Sequence, residues 1–246
     1  MKAIIFAAGL GTRLRPITDT LPKALVPVCG QPLLYHVIQK LKAAGYDDLV
    51  VNIHHFPDQI RKYLSENDFG VKISISDESD RLLETGGALL HARRLLEGPE
   101  PFLVHNVDIV SDLDLTWFRS QTPPEALATL LVSERDTRRY LLFDDDMRLL
   151  GWTDRSTGEV RSPYPELKPE NCRRYAFSGI HNISPRIFPA FEALNLPERF
   201  PIMDFYLSAC DRYPIYGVKA DGLQLVDVGK IETLQEAEAH CRRILQ

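Results

Sequence analysis

The chain has 246 residues, of which 44% are hydrophobic, with 29 Lys and Arg against 34 Asp and Glu. That length can bury one sizeable core, and a net charge of -5 argues against a polyanion such as DNA as the main partner. The four cysteines, Cys29, Cys172, Cys210 and Cys241, contain no CxxC pair, so neither a structural zinc site nor a disulfide scaffold is expected. A reducing, cytoplasmic setting is the expectation. The N-terminal apolar run is too short for a signal peptide or a membrane span.

No internal repeat or low-complexity tract is present. Lys2 to Phe6 is a short apolar run ending at Gly9 and Gly11, the pattern of a buried strand. Pro32 to Ala44 has helical spacing and stops before Gly45. Asp48 to Ile53 predicts a second strand, and Pro57 to Asn67 a helix opened by its proline. A third strand over Val71 to Ser76, a helix over Gly86 to Leu96 and a fourth strand over Pro101 to His105 follow. This alternation predicts an α/β fold, a doubly wound, mostly parallel mixed sheet flanked by helices. Ligands in such sheets sit at the carboxyl ends of the strands.

The second half is less regular. Ala126 to Ser133 predicts a strand, and Arg139 to Trp152 a hairpin turning near Asp144. Arg155 to Arg173 reads as a long loop, a kind that often carries function. Strands are expected at Tyr175 to Ile183, Pro214 to Val218 and Leu223 to Asp227, then a helix over Ile231 to Leu245. No linker divides the chain, so one domain over residues 1–246 is expected.

After the first strand comes Ala7-Ala8-Gly9-Leu10-Gly11-Thr12-Arg13. Small residues let backbone N–H groups approach a phosphate, and Arg13 adds a charged fork. An ordinary strand-to-helix turn would also use them. The dinucleotide-binding fingerprint fails, because Leu14 stands at its third small position and the second strand runs into His54-His55 rather than an acid. No Gly-Lys-Ser/Thr of a Walker loop is present.

The wider pattern, GxGTRLxPxT followed by PKxLxPV over Gly9 to Val28, resembles the sugar-phosphate nucleotidyltransferase family, most nearly its short single-domain bacterial members. The resemblance implies a Rossmann-like, GT-A-like fold with a nucleotide half over about 1–110 and a sugar half over about 111–246. It implies formation of a nucleotide sugar and pyrophosphate from a nucleoside triphosphate and a sugar 1-phosphate, with Mg²⁺ or Mn²⁺ and with no nucleic-acid or membrane partner. UTP with an amino-sugar 1-phosphate is the first expectation. GTP with mannose or heptose 1-phosphate, and CTP with phosphocholine, are the alternatives. A non-catalytic nucleotide-binding regulator is the rival from another class.

The resemblance carries roles to particular positions. Ala7, Ala8, Gly9, Gly11 and Thr12 would cradle phosphates, Arg13 would neutralise the leaving group, and Lys23 would hold the α-phosphate. Asp108 and Asp227, each at a strand end, suit a hard cation with oxygen ligands and would hold the metal. Relatives have Asn-Gly-Asp where this chain has Asn106-Val107-Asp108. A β-branched residue is poorly suited to φ > 0, so either that conformation is not needed or the loop is shaped differently. Glu78, Thr85, Gly86, Gly87 and Asn106 would surround the base, although Thr85 could equally cap a helix. Glu84, Lys168, Ser178 and Gly179 would meet the sugar. His54-His55 are expected as strand-end residues, Trp117-Phe118 as core, and the Arg93-Arg94, Arg138-Arg139 and Arg173-Arg174 pairs as solvated.

Overall fold

The computed structural model describes residues 1–244, with side chains through residue 239. β1 (Lys2–Phe6) leads into three short 3-10 turns, Thr12–Leu14, Ile17–Asp19 and Lys23–Leu25, and a small hairpin of β2 (Pro27–Val28) and β3 (Gln31–Pro32). Next come α1 (Leu33–Ala43), β4 (Asp48–Ile53), α2 (Pro57–Glu66) and β5 (Lys72–Asp77). The single helix expected after β5 is two, α3 (Glu84–His91) and α4 (Arg93–Leu96), broken at Ala92. β6 (Phe102–Asn106), β7 (Ile109–Ser111), α5 (Leu115–Ser120) and β8 (Ala128–Ser133) follow.

The expected hairpin is β9 (Arg139–Phe143) with β10 (Leu149–Asp154). The long loop after it is not wholly irregular. It holds β11 (Glu159–Arg161), which pairs antiparallel with β10, and a 3-10 turn over Pro169–Asn171. The chain continues through β12 (Arg173–Ile183), α6 (Ile187–Ala193), α7 (Ile202–Ala209), β13 (Ile215–Lys219), β14 (Leu225–Asp227) and α8 (Ile231–Ile244). The expected end of the last helix at Leu245 lies outside the described residues.

The main sheet runs β11-β10-β9-β12-β6-β1-β4-β5, with β8 between β12 and β13. Strands β5, β4, β1 and β6 are parallel, and β12 enters antiparallel beside β6. The sheet is therefore mixed, and parallel over β5, β4, β1 and β6, as the alternation of strands and helices requires. The central strand β1 is apolar on both faces because helices cover both, whereas the edge strand β5 alternates Ile with Lys, Ser and Asp. In β1, Ala3 and Ile5 pack into one core with α1, while Ile4 and Phe6 pack into the other with α3, α6 and α7. Phe118 is fully buried and Trp117 only partly so. Among the described residues no helix is long and apolar enough to cross a membrane.

Cys172 and Cys210 are free thiols, but Cys29 is disulfide-bonded. The side chain of Cys241 lies outside the described residues.

Phe188, 1% exposed, stacks on Phe102 at 6.0 Å between ring centroids. Phe188→Ala should cost about 3–5 kcal/mol, the scale of an emptied aromatic site, read from urea denaturation.

Candidate active site

Four ionisable side chains far apart in sequence converge at the carboxyl ends of β1 and β6. The Lys23 ammonium is ion-paired with Asp108, and both side chains are largely buried. Asp227 is brought beside Asp108 by a two-stranded ladder, in which β14 pairs antiparallel with β7 and Asp227 lies opposite Ile109. The Val228 N–H donates to the Asp108 carbonyl at 2.8 Å, fastening the two acid-bearing turns together. Burial, and secondly the negative charge of Asp108, push the Asp227 carboxyl above the ordinary carboxylate range. One Asp227 oxygen, Oδ1, is buried with no hydrogen-bond partner.

Gly229 explains how Arg13 joins this group. A Cβ there would lie 2.9 Å from the Arg13 Nη2 and 2.9 Å from the Asp227 Oδ1. The missing side chain lets the guanidinium and the carboxylate both approach the backbone here without forming an ion pair with each other. Val107, in place of the usual glycine, is 3% exposed, sits in the core and lies outside the left-handed region. The turn needs no positive φ, so the β-branched residue is accommodated.

The glycine-rich loop is shaped for an anion. Gly11 has φ 63, and a Cβ there would be 2.8 Å from Thr18 Cγ2. The Thr18 hydroxyl donates to the Gly11 carbonyl at 2.8 Å and fixes the bend. No protein group among the described residues accepts from the backbone N–H groups of Ala8, Gly9, Leu10, Gly11 or Thr12. A run of unused amides on small residues is a concavity that suits phosphate oxygens.

Two clefts flank the cluster. The smaller, about 210 Å³, is lined by Ala8, Gly9, Asn106, Thr85 and Glu78 and reaches Lys23 and Asp108. The Ala7 N–H donates to Asn52 Oδ1 at 2.7 Å, and Asn52 donates in turn to Glu78 Oε1 at 2.8 Å. Glu78 is 3% exposed, and burial raises its carboxyl pKa against the opposing pull of Asn52 and the Leu83 amide. The larger cleft, about 610 Å³, is lined by Arg13, Asp227 and Gly229 together with Arg135, Arg139, Trp152, Phe177, Met203 and Lys230. Asn52, Arg135 and Lys230 were not singled out in the sequence, and Arg139 was expected only as a solvated residue. Asn52 leaves a trace there, a polar residue inside the apolar run of β4.

Several expected contacts take other forms. Thr85 does not cap α3; its hydroxyl accepts from the Ile202 N–H at 2.8 Å. Gly86 and Gly87 are buried and donate to the Phe200 carbonyl, and a Cβ on Gly86 would strike the Phe200 ring at 2.2 Å. Their lack of side chains serves this strap, and neither glycine lines the smaller cleft. Glu84 does line it, held at φ 64 and ion-paired with Arg199 at 2.9 Å. Ser178 is buried against the Ser133 hydroxyl at 3.2 Å. Gly179, at φ 74, lets Ile109 and Asn106 close on the backbone. Lys168 is exposed before the 3-10 turn and lines neither cleft. His54 and His55 follow β4, bonded to the carbonyls of Glu78 and Thr18.

The donor set fits a hard divalent cation. No cluster of three or more His, Cys, Asp or Glu suited to a metal exists among the described residues. Mg²⁺ needs no such cluster, since one or two carboxylates with substrate phosphates and water suffice. The orphaned Asp227 oxygen beside Asp108 is the protein's share of such a site.

The family model described as nucleotidyl transferase matches residues 2–243. N-acetylmuramate alpha-1-phosphate uridylyltransferase of Neisseria meningitidis serogroup B is 35% identical over 243 residues, covering 97% of each chain. Mannose-1-phosphate guanyltransferase of Hypocrea jecorina is 42% identical over 115 residues, covering 46% of this chain and 31% of that one. The solved UDP-glucose pyrophosphorylase from Acinetobacter baumanii superposes with a TM-score of 0.76 at 19% identity, covering 97% and 92% of the two chains. The chain belongs to the nucleotidyl transferase family, and its fold is that of the nucleotide-sugar pyrophosphorylases.

A carboxylate whose pKa is raised in the fold destabilises the protein above that pKa, and the penalty fades as pH falls through it. Asp227→Asn should therefore raise Tm at pH 7, with the gain shrinking toward pH 4. Addition of Mg²⁺ should raise Tm in the wild type and not in the variant. Both are read by thermal melts. Gly87→Ala, whose Cβ would meet the Glu198 carbonyl at 2.4 Å, should cost about 1–3 kcal/mol by urea denaturation, the scale of overpacking.

Proposed function

We propose that the protein is a sugar-1-phosphate nucleotidyltransferase, joining a nucleoside triphosphate to a sugar 1-phosphate with release of pyrophosphate. The observation that carries this reading is the joint placement of Lys23, Asp108, Asp227 and Arg13 beside the unused amides of Ala8 to Thr12. A phosphate oxygen of the sugar 1-phosphate attacks the α-phosphorus in line. A new P–O bond forms there, and the bond to the β-phosphate oxygen breaks. The nucleophile is already an anion, so no general base is needed. The difficulty is bringing two polyanions together, which positioning and charge neutralisation overcome.

The loop amides hold the nucleotide phosphates, and Arg13 neutralises the departing pyrophosphate. Lys23, now on Asp108, is placed to follow the charge at the α-phosphate. Asn52, Glu78, Thr85 and Asn106 border the base, and the larger cleft takes the sugar between Phe177 and Asp227. Asp108 and Asp227 would hold the divalent cation, which supplies Lewis-acid charge to the phosphates when bound.

UTP with an amino-sugar 1-phosphate such as N-acetylmuramic acid 1-phosphate is the favoured pair, supported by similarity to the Neisseria enzyme along nearly its whole length. GTP with mannose 1-phosphate is the second reading, favoured by the 42% identity of a 115-residue stretch. A cytoplasmic setting suits such substrates. Magnesium-dependent pyrophosphate release, measured across UTP, GTP, CTP, dTTP and ATP against a panel of sugar 1-phosphates and phosphocholine, should single out one pair. With that pair, Lys23→Ala and Asp108→Ala should each lose at least about a hundredfold in kcat, the scale of one transition-state contact. Near wild-type turnover in folded Asp108→Ala would overturn the metal assignment.

A further inference from the structure

The larger cleft carries more positive charge than the proposed reaction uses. Arg13 serves the departing phosphates, and Asp227 serves the metal. Arg135, Arg139 and Lys230 line the same cleft with no assigned anion. The whole chain carries a net charge of -5, so this local excess is not a general surface property. Arg135 and Lys230 form no ion pair among the described residues. Arg139 is only partly neutralised. It shares buried Asp154 with Arg138, at 3.6 Å and 3.1 Å, so one carboxylate faces two guanidinium groups.

The arginines are also held in place. Arg135 Nη2 donates to the Phe177 carbonyl at 3.0 Å, which tethers its guanidinium beside the Ser178–Gly179 stretch of β12. One donor of the five is used there, and four remain. Arg139 lies 5.9 Å from the Trp152 ring centroid, over its face. Trp152, Phe177 and Met203 give the cleft an apolar wall. A fixed guanidinium beside an apolar wall suits a carboxylate on a short alkyl stem. The fork donates to both oxygens, and the stem packs on the wall.

We propose that Arg135, supported by Arg139 and Lys230, determines acceptor specificity by binding a carboxylate that the sugar carries in addition to its phosphate. The acceptor class is an acidic sugar 1-phosphate with an ether-linked carboxylic acid. The inference rests on the nucleotidyltransferase reading, and the experiment below separates its failure from a failure of that reading.

The test is steady-state kinetics on the full chain, with Mg²⁺ and the nucleotide that the pyrophosphate assay selects. N-acetylmuramic acid 1-phosphate is compared with N-acetylglucosamine 1-phosphate, which lacks only the lactyl ether. The wild type should favour the acidic acceptor in kcat/KM. Arg135→Gln should cut that preference at least about tenfold, the scale of one hydrogen bond to a charged group, mainly through KM for the acidic acceptor. Arg135→Lys, which keeps the charge and loses the fork, should fall between. If Arg135→Gln does not melt like the wild type, Arg139→Gln is read in its place, with a smaller loss of preference in the same direction. An equal loss on both acceptors, an unchanged ratio, or a rise confined to the nucleotide KM would each overturn the assignment. Turnover by the wild type of neutral sugars alone would also overturn it, while leaving the reaction class intact. Absence of pyrophosphate release with every pair would instead remove the nucleotidyltransferase reading beneath it.

Discussion

The site depends on a charge arrangement that the protein leaves unbalanced. Two carboxylates, Asp108 and Asp227, are forced together at the strand ends with Lys23 paired to only one of them. Burying an acid with an unbonded oxygen opposes folding unless something compensates it. The compensation is geometric. The β7–β14 ladder, the Val228 to Asp108 hydrogen bond and the apolar packing of Val107, Ile109, Val110 and Val226 hold the acids where solvation alone would separate them. Stability drawn from the two cores thus holds two acids side by side.

The glycine-rich loop follows the same logic with the opposite sign. Its amides present unshared positive dipoles, as the carboxylates present unshared negative charge. The two features adjoin Lys23, so donors and acceptors are presented next to each other. A pre-arranged site of this kind need not reorganise as charge moves during the reaction.

Much of this was legible in the sequence because it rests on local signals. The apolar runs of β1 and β4 fix strands whose bounds match the expectation residue for residue. The glycine loop, Lys23 and the two aspartates were visible as a motif with spacing. What stayed hidden depends on contacts between distant segments. Three residues, Ile109 to Ser111, are too few for a periodicity, yet β7 is what brings Asp227 home. Short helices α6 and α7 are interrupted or preceded by prolines, so their helical spacing is weak. Gly86 and Gly87 looked like a place for a base, and only the structure shows Phe200 filling it. Arg139 is exposed as the sequence suggests, but no sequence feature shows that its guanidinium would lie over Trp152.

Strand β12 changes partners partway along its length. Its C-terminal residues pair with β6 and β8, its first three with β9, and the register slips around Gly179. The hairpin that walls the larger cleft joins the parallel strands through β12, across a glycine bend, and touches β13 at the Arg148–Tyr216 bridge and the Gly217 N–H to Met147 carbonyl bond. Changes in β9, β10 and β11 can alter the shape and charge of that wall without passing through the β1–β6 ladder that positions Lys23 and Asp108. The architecture thus sets the Lys23–Asp108 pair on the parallel strands and the wall of the larger cleft on the far end of the sheet, so that one can change shape without moving the other.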